Sequence, residues 1–247
     1  MNPTVAIVIP AFDEEASVAS VVASVARYGT AVVVDDGSQD GTARVARGAG
    51  AHVISHDVNR GYDAALKTGF DWAVDSGHAI VVTLDADAQH DPERITALVS
   101  PIVEGRASAV LGVRPDFARP SERLFALYAR HRYGVPDLLC GMKAFSSGAV
   151  ERHRTALGRP SIGTGLALAC LRAGEAVEVV AVPVRAREGP SRFGDNLSAE
   201  MRVLRALLDA VVADETDRPR PAALRHCGHR RRVSPGDSRP PMRGRGA

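Results

Sequence analysis

Cysteine is scarce in this 247-residue chain: Cys140, Cys170 and Cys227 are scattered, odd in number and lack metal-ligand spacing. That excludes a disulfide scaffold and points to a reduced, cytoplasmic protein. Long apolar runs are missing, since no stretch approaches 18 uninterrupted apolar residues, so no transmembrane helix is expected. Met1 to Pro10 has no basic leader region and reads as a first strand, not a signal peptide. Lysine is reduced to Lys67 and Lys143. No G-x-G-x-x-G follows any apolar run, which removes a dinucleotide-binding domain. What is present is ordinary for a soluble globular protein: 45% hydrophobic and 24% charged residues, which excludes a wholly disordered or collagen-like chain.

The net charge of +2 hides an asymmetry. Asp217 to Ala247 holds nine arginines against two aspartates, a net of +7. Subtracting +7 from +2 leaves −5 for the other 216 residues. The tail also holds five of the fifteen prolines and little apolar periodicity, so residues 216–247 are expected to be a disordered basic extension. A solvated extension is the first reading there, ahead of a nucleic-acid or anionic-membrane contact.

The body alternates short β-branched runs with helical patterns. Strands are expected at Val5–Ile9, Ala31–Val34, His52–Ile54, Ala79–Leu84 and Ala109–Gly112. Helices are expected over Val18–Val25, Thr42–Ala49, Ala64–Val74 and Pro92–Val103. This alternation means βαβ units and a mostly parallel, Rossmann-like α/β sheet flanked by helices. Beyond Gly112 the pattern predicts a helix near Ser121–Arg132, an irregular stretch through Gly141, a helix over Gly165–Ala173, a strand at Val177–Val184 and a helix over Asn196–Val212. Right-handed crossovers bring the loops after the strands to one sheet edge, where such folds bind ligands.

Those loops are rich in acids. Pro10-Ala11-Phe12-Asp13-Glu14-Glu15 reads either as helix-dipole complementation or as a base-and-ribose shelf, with Phe12 stacking and a carboxylate accepting from hydroxyls. Asp35-Asp36-Gly37-Ser38 places two adjacent carboxylates at a buried strand end, where one can accept the imide N–H of a uracil or the N1–H and amino group of a guanine. Asp85-Ala86-Asp87-Ala88-Gln89-His90-Asp91-Pro92-Glu93 is the most informative stretch. Residues i and i+2 of an extended segment face one side, so Asp85, Asp87 and Gln89 converge. Two carboxylates that close call for a cation, and oxygen ligands with open positions suit Mg²⁺ or Mn²⁺ held jointly with substrate phosphates. The second half supplies cations suited to phosphate: Arg114, Arg119, Arg123, Lys143, Arg187 and Arg192. Asp137, entering an apolar stretch, is a candidate site acid.

Together these segments resemble the inverting nucleotide-sugar glycosyltransferases of family two, and within it the dolichyl-phosphate mannosyltransferase group with its polyprenyl-phosphate relatives. The matching residues are Ile9–Glu15, Asp35–Ser38 with Asp40-Gly41-Thr42, Asn59-Arg60-Gly61-Tyr62, Asp85–Glu93, and Asp137 with Cys140-Gly141-Met142-Lys143. The resemblance covers residues 4 to about 210 and departs at Asp13, Asp63 and Val113. It implies an A-type glycosyltransferase fold, with a nucleotide-sugar half over about 1–113 and an acceptor half over about 114–215. It implies nucleotide contacts at Pro10, Phe12, Glu14, Asp35, Asp36, Asp85 and Ala86, and Mg²⁺ or Mn²⁺ on Asp85, Asp87 and Gln89. It implies phosphate contacts through Arg114, Arg123, Arg187 and Arg192, to which the charge pattern adds Arg119 and Lys143; Asp87, Asp137 and Arg114 are the candidate catalytic residues.

The implied reaction moves a hexose from a GDP- or UDP-sugar to a polyprenyl phosphate, with inversion. A sugar hydroxyl needs a positioned base, whereas a phosphate monoester with a second pKa near ~6 is already anionic at neutral pH. The balance of cations over carboxylates in the second half favours the phosphate. Transfer to a hydroxyl in cell-envelope polysaccharide or glycolipid synthesis, with Asp137 as base, is the runner-up. Without a membrane span, the enzyme is expected to meet its lipid peripherally at the cytoplasmic face, or through a membrane-anchored partner. A sugar nucleotidyltransferase would need a glycine-rich loop where Pro10–Glu15 stands. A phosphoacceptor receiver built on Asp35-Asp36, Asp87 and Lys143 leaves Met1–Thr30 unexplained, and a non-catalytic binding module is the remaining alternative.

Overall fold

A computed structural model describes residues 4–117, 119–158, 161–183, 196–216 and 224–226. The first half is the expected alternation: β1 (Val5–Ala11), α1 (Val18–Val25), β2 (Thr30–Asp35), α2 (Thr42–Gly48), β3 (His52–Ser55), α3 (Tyr62–Asp75), β4 (Ile80–Thr83), α4 (Arg94–Val103) and β5 (Ala109–Val113). The second half adds α5 (Pro120–Tyr133), β6 (Lys143–Ser146), α6 (Ser147–Arg152), a 3₁₀ turn at Arg154–Gly158, α7 (Ile162–Arg172), β7 (Val177–Ala181), α8 (Asn196–Thr216) and β8 (Leu224–His226).

The sheet order is β3-β2-β1-β4-β6-β5-β7-β8. All neighbours pair in parallel except β6, which runs antiparallel between β4 and β5. The sequence predicts neither β6 nor α6. Nor does it predict β8, which pairs in parallel with β7 inside the segment expected to be disordered. The rest of the basic tail beyond Thr216, apart from β8, lies outside the described residues.

Alternate residues of the inner strands enter opposite faces, as a strand's period of two dictates. Val8, Val32, Val81, Ala109, Leu111 and Phe145 face one core, closed by α3, α5, α7 and α8 through Leu66, Phe70, Phe125, Leu166 and Leu207. Ile7, Ile9, Val33, Val82, Val110 and Ala144 face the other, closed by α1 and α4 through Val18, Val22, Ile95 and Leu98. A strand covered on both sides needs a continuous apolar run, which is why β1 is buried at all seven positions. Phe70 and Phe145 meet edge to face at 5.9 Å. Burying a phenylalanine of this kind contributes about 2–3 kcal/mol before packing terms.

The parallel strands end together. Ala11 pairs with Asp35, the Asp36 amide donates to Ala11 at 2.8 Å, and the Leu84 amide donates to Val8 at 3.0 Å. Because β6 runs the other way, its start, and not its end, lies at this edge. Lys143 pairs with Thr83 and Leu111, so residues 137–143 arrive beside the loops that follow β4 and β5.

Candidate active site

The loops after β1 and β2 are joined to each other. The Asp13 amide donates to Ser38 Oγ at 2.9 Å, and the Gln39 amide donates back to Asp13 Oδ1 at 2.8 Å. The Glu14 amide donates to Thr42 Oγ1 at 2.8 Å, and Glu15 reaches the Gly41 amide and Arg44. Asp13 takes a positive φ of 51° to make these bonds. Pro10 is buried on β1, with Phe12 and Glu14 half-buried beyond it. Ser17 Oγ donates to Glu14 Oε2 at 2.8 Å.

Asp35 and Asp36 are both buried. Asp35 Oδ1 accepts from the Ser38 amide at 3.2 Å and closes the turn after β2. Asp36 holds the loop before α3: its oxygens accept from the Arg60 amide at 3.0 Å and the Gly61 amide at 2.7 Å, and Oδ1 lies 2.6 Å from His56 Nδ1. Thr68 Oγ1 lies 2.9 Å from the other nitrogen of His56. A carboxylate offers about four lone-pair sites, so one direction on Oδ2 remains for a base. Gly61 sits at φ +92°, a region open to glycine and strained for other residues, and turns the chain into α3 at Tyr62.

Asp85 is the centre of the edge. Tyr62 Oη donates to its Oδ1 at 2.9 Å, and His90 Nε2 lies 3.1 Å from its Oδ2. A Cβ at Gly141 would lie 2.2 Å from Oδ2, so any other residue there would have to displace the Asp85 carboxylate. Burial opposes ionisation of Asp85, but the His90 hydrogen bond and charge, the Tyr62 hydroxyl and Lys143 outweigh it and hold the carboxyl below its ordinary value. Tyr62 is 42% exposed as a whole, but desolvation of its hydroxyl, reinforced by Asp85, raises it well above an ordinary phenol. Ala86 is buried, and Asp87 Oδ1 accepts from the Gln89 amide at 3.1 Å, with Ala88 at φ +59° between them.

The donor set of Asp85, Asp87 and Gln89 is all oxygen, which fits Mg²⁺ or Mn²⁺ completed by substrate phosphates. Among the described residues, the set whose ligand atoms cluster within 4.8 Å is His153, Cys170 and Glu175, elsewhere in the fold. There Glu175 is already held by Arg152 and His153.

On the acceptor side, Arg114 and Asp137 form one unit. Asp137 is 1% exposed and accepts four hydrogen bonds: from the Arg114 amide, Nε and Nη2 at 3.2, 2.8 and 3.2 Å, and from the Leu139 amide at 2.8 Å. Glu122 adds a contact to Arg114 Nη1 at 3.3 Å. Burial alone would lower Arg114, but Asp137 and then Glu122 raise it above an ordinary guanidinium. The sequence expectation of Asp137 as a candidate base therefore meets a carboxylate engaged in orienting an arginine.

Lys143, expected to grip phosphate, is buried, and its ammonium donates to the Cys140 carbonyl. Burial lowers its pKa, with Cys140 and Asp137 pulling the other way. Arg119 lies 3.9 Å from Glu122, and Arg123 is exposed on α5. Arg187 and Arg192 lie outside the described residues. Sequence reasoning gave no role to His56, Tyr62 or Glu122. Tyr62 had a signal in its position directly after Gly61 at a loop-to-helix entry, and His56 had none.

The family model for Glycosyl transferase family 2 matches residues 6–153. A polyprenol monophosphomannose synthase of Mycolicibacterium smegmatis is 32% identical over 167 residues, covering 59% of this chain and 63% of that protein. An undecaprenyl-phosphate 4-deoxy-4-formamido-L-arabinose transferase of Pseudomonas aeruginosa is 29% identical over 238 residues, covering 86% and 65%. The chain spans about two thirds of the length of the curated relatives it matches. Among solved structures, glucosyl-3-phosphoglycerate synthase from Mycobacterium tuberculosis, in complex with Mn²⁺, UDP and phosphoglyceric acid, matches with a TM-score of 0.66 at 25% identity, covering 85% of this chain and 78% of that one. The fold is thus the A-type glycosyltransferase fold expected from the sequence.

Proposed function

Because the chain belongs to glycosyl transferase family 2, we propose that it is a metal-dependent inverting transferase that moves a hexose from a nucleotide diphosphate sugar to a polyprenyl phosphate. Residues 1–113 take the donor and 114–215 the acceptor. The nucleoside lies against Pro10, Phe12, Glu14, Asp35 and Asp36, with Asp85 and Ala86 beneath the ribose and diphosphate. Asp85, Asp87 and Gln89 hold Mg²⁺ or Mn²⁺. When bound, that cation supplies charge neutralisation for the diphosphate leaving group. The acceptor phosphate oxygen attacks the anomeric carbon from the face opposite the leaving group. The bond from that carbon to the diphosphate oxygen breaks, and the nucleoside diphosphate departs.

The observation that carries the acceptor class is the saturation of Asp137. A hydroxyl acceptor needs a free base, whereas an anionic phosphate needs only an oriented cation. Arg114, fixed by Asp137 and Glu122, is that cation, with Arg119 and Arg123 further out. The names of relatives that act on polyprenyl carriers support this reading.

The chain would meet its lipid peripherally. No helix among the described residues is long and apolar enough to cross a membrane. Leu124 and Leu127 on α5, and Met201, Leu208 and Val212 on α8, are exposed together with Arg123, Arg130, Arg202 and Arg205. Exposed apolar side chains interspersed with arginines on α5 and α8, two helices that pack against each other, would suit an anionic bilayer. A second reading, transfer to a soluble phosphorylated acceptor, is favoured by the phosphoglyceric acid complex of the solved neighbour.

The donor half is tested by a thermal-shift panel of UDP, GDP and their hexose sugars with Mn²⁺. One nucleotide family should raise the melting temperature with the metal present and lose that effect in chelator or in Asp87→Ala. No shift with any nucleotide would end the reading.

A further inference from the structure

The two oxygens of Asp85 are claimed from two different parts of the chain. Tyr62, the first residue of α3, donates to Oδ1 at 2.9 Å. His90, on the loop after β4, reaches Oδ2 at 3.1 Å. Each is itself held. Tyr62 follows Arg60 and Gly61, whose amides Asp36 grips, and Gly61 at φ +92° fixes the direction in which the chain leaves that grip. His90 is 7% exposed, two residues after Ala88, which is at positive φ.

The histidine carries a cost. Its Nδ1 is buried with no hydrogen-bond partner among the described residues. An unpaired buried nitrogen is unfavourable, and an apolar side chain of similar shape would avoid it. Among the described residues, the one side-chain polar contact of His90 is to Asp85, in which Nε2–H donates to a carboxylate oxygen. Gly141 closes the third side, because any Cβ there would occupy the space of Oδ2. A carboxylate bonded on both oxygens and walled by a backbone has one orientation, and its remaining lone pairs keep fixed directions.

We propose that Tyr62 and His90 are positioning residues that fix the Asp85 carboxylate for the divalent cation and nucleotide diphosphate. This rests on the donor reading above. Donors to a ligating group set its orientation, and their removal commonly costs about 10–100-fold in metal affinity. Asp36 and His56 act one step further back, through the amides that place Tyr62.

The test is calorimetric titration of the full chain with Mn²⁺, in the presence of UDP and separately of GDP, with melting temperatures alongside. Tyr62→Phe removes one hydroxyl and nothing else. His90→Ala removes the second donor, and His90→Gln returns an amide N–H near the position of Nε2. Tyr62→Phe and His90→Ala should each weaken Mn²⁺ binding at least tenfold, and His90→Gln should recover most of the loss. Affinity unchanged in Tyr62→Phe, or unrescued in His90→Gln with a normal melting temperature, overturns the proposal while leaving the donor reading intact. Failure of the unsubstituted chain to bind Mn²⁺ with either nucleotide overturns both. Should His90→Ala not fold, Tyr62→Phe decides alone.

Discussion

At the scale of single residues, the acids that the sequence marks for chemistry divide their work. Asp85, Asp87 and Asp36 stand at strand ends where ligands bind, yet Asp36 spends three of its lone pairs on His56 and two amides. Asp137 spends all of its own on Arg114 and Leu139. The sequence therefore reveals which carboxylates lie at the edge but not what they hold, because all the partners but Leu139 are 20–25 residues away and a pattern of spacing is local. The distinction has a measurable consequence. If Asp137 were a general base, Asp137→Asn would cost about 10²–10⁴-fold in kcat and remove the acidic limb of the pH–rate profile. As the residue that orients Arg114, Asp137→Asn should lose stability together with transfer, because its amide nitrogen would face two of the N–H donors that bond the carboxylate. Asp137→Ala should lose about 3 kcal/mol of stability in urea unfolding, because it strands a buried guanidinium with Glu122 alone. A kcat collapse in Asp137→Asn at normal stability would return the base role to it.

At the scale of elements, β1, β2, β4 and β5 were legible because they are inner strands covered on both faces and largely apolar, while β3, an edge strand with no fully buried residue, was legible from its short β-branched run between helical patterns. β6 was not legible. Its four residues, Lys143-Ala144-Phe145-Ser146, carry neither alternation nor a long apolar run. It is a strand because β4 and β5 offer hydrogen bonds on both sides, a tertiary cause. That antiparallel insertion sets the site, since it turns residues 137–143 towards the Asp85 loop. Elsewhere, elements are tied by ionised carboxylates. Asp214 on α8 accepts from Tyr128 and Tyr133 on α5 and Arg172 on α7. Glu175, ahead of β7, accepts from Arg152 at the end of α6 at 3.0 and 2.9 Å. Burial opposes its ionisation, but Arg152, Ser108 and His153 pull its pKa from 4.5 down to about 2. A carboxyl whose folded pKa is depressed stabilises above its unfolded value and loses that contribution as pH falls towards the folded one. Urea midpoints should therefore fall between about pH 4.5 and 2 through this group. Glu175→Gln should be less stable than the unsubstituted chain at pH 6 and flatter across that window; an unchanged slope would remove Glu175 from the acid response.

At the scale of the whole molecule, an acidic body joins a basic surface and tail, and the proposed acceptor is an anionic lipid. Flotation with vesicles containing anionic phospholipid should carry the protein upward at low salt, and less so with neutral vesicles or at high salt. Leu127→Asp together with Leu208→Asp should lower the bound fraction without moving the melting temperature, as both side chains face solvent. Equal flotation of that double variant would place the lipid contact elsewhere. The central claim concerns what receives the sugar. The direct measurement incubates the enzyme with Mn²⁺, a radiolabelled nucleotide hexose, a polyprenyl phosphate and phosphoglyceric acid together, then partitions the products between organic and aqueous phases. Label in the organic phase, as a mild-acid-labile sugar phosphate of inverted anomeric configuration, is the result expected here. Label confined to a soluble glycosylated acceptor, with none on the lipid phosphate, would contradict it.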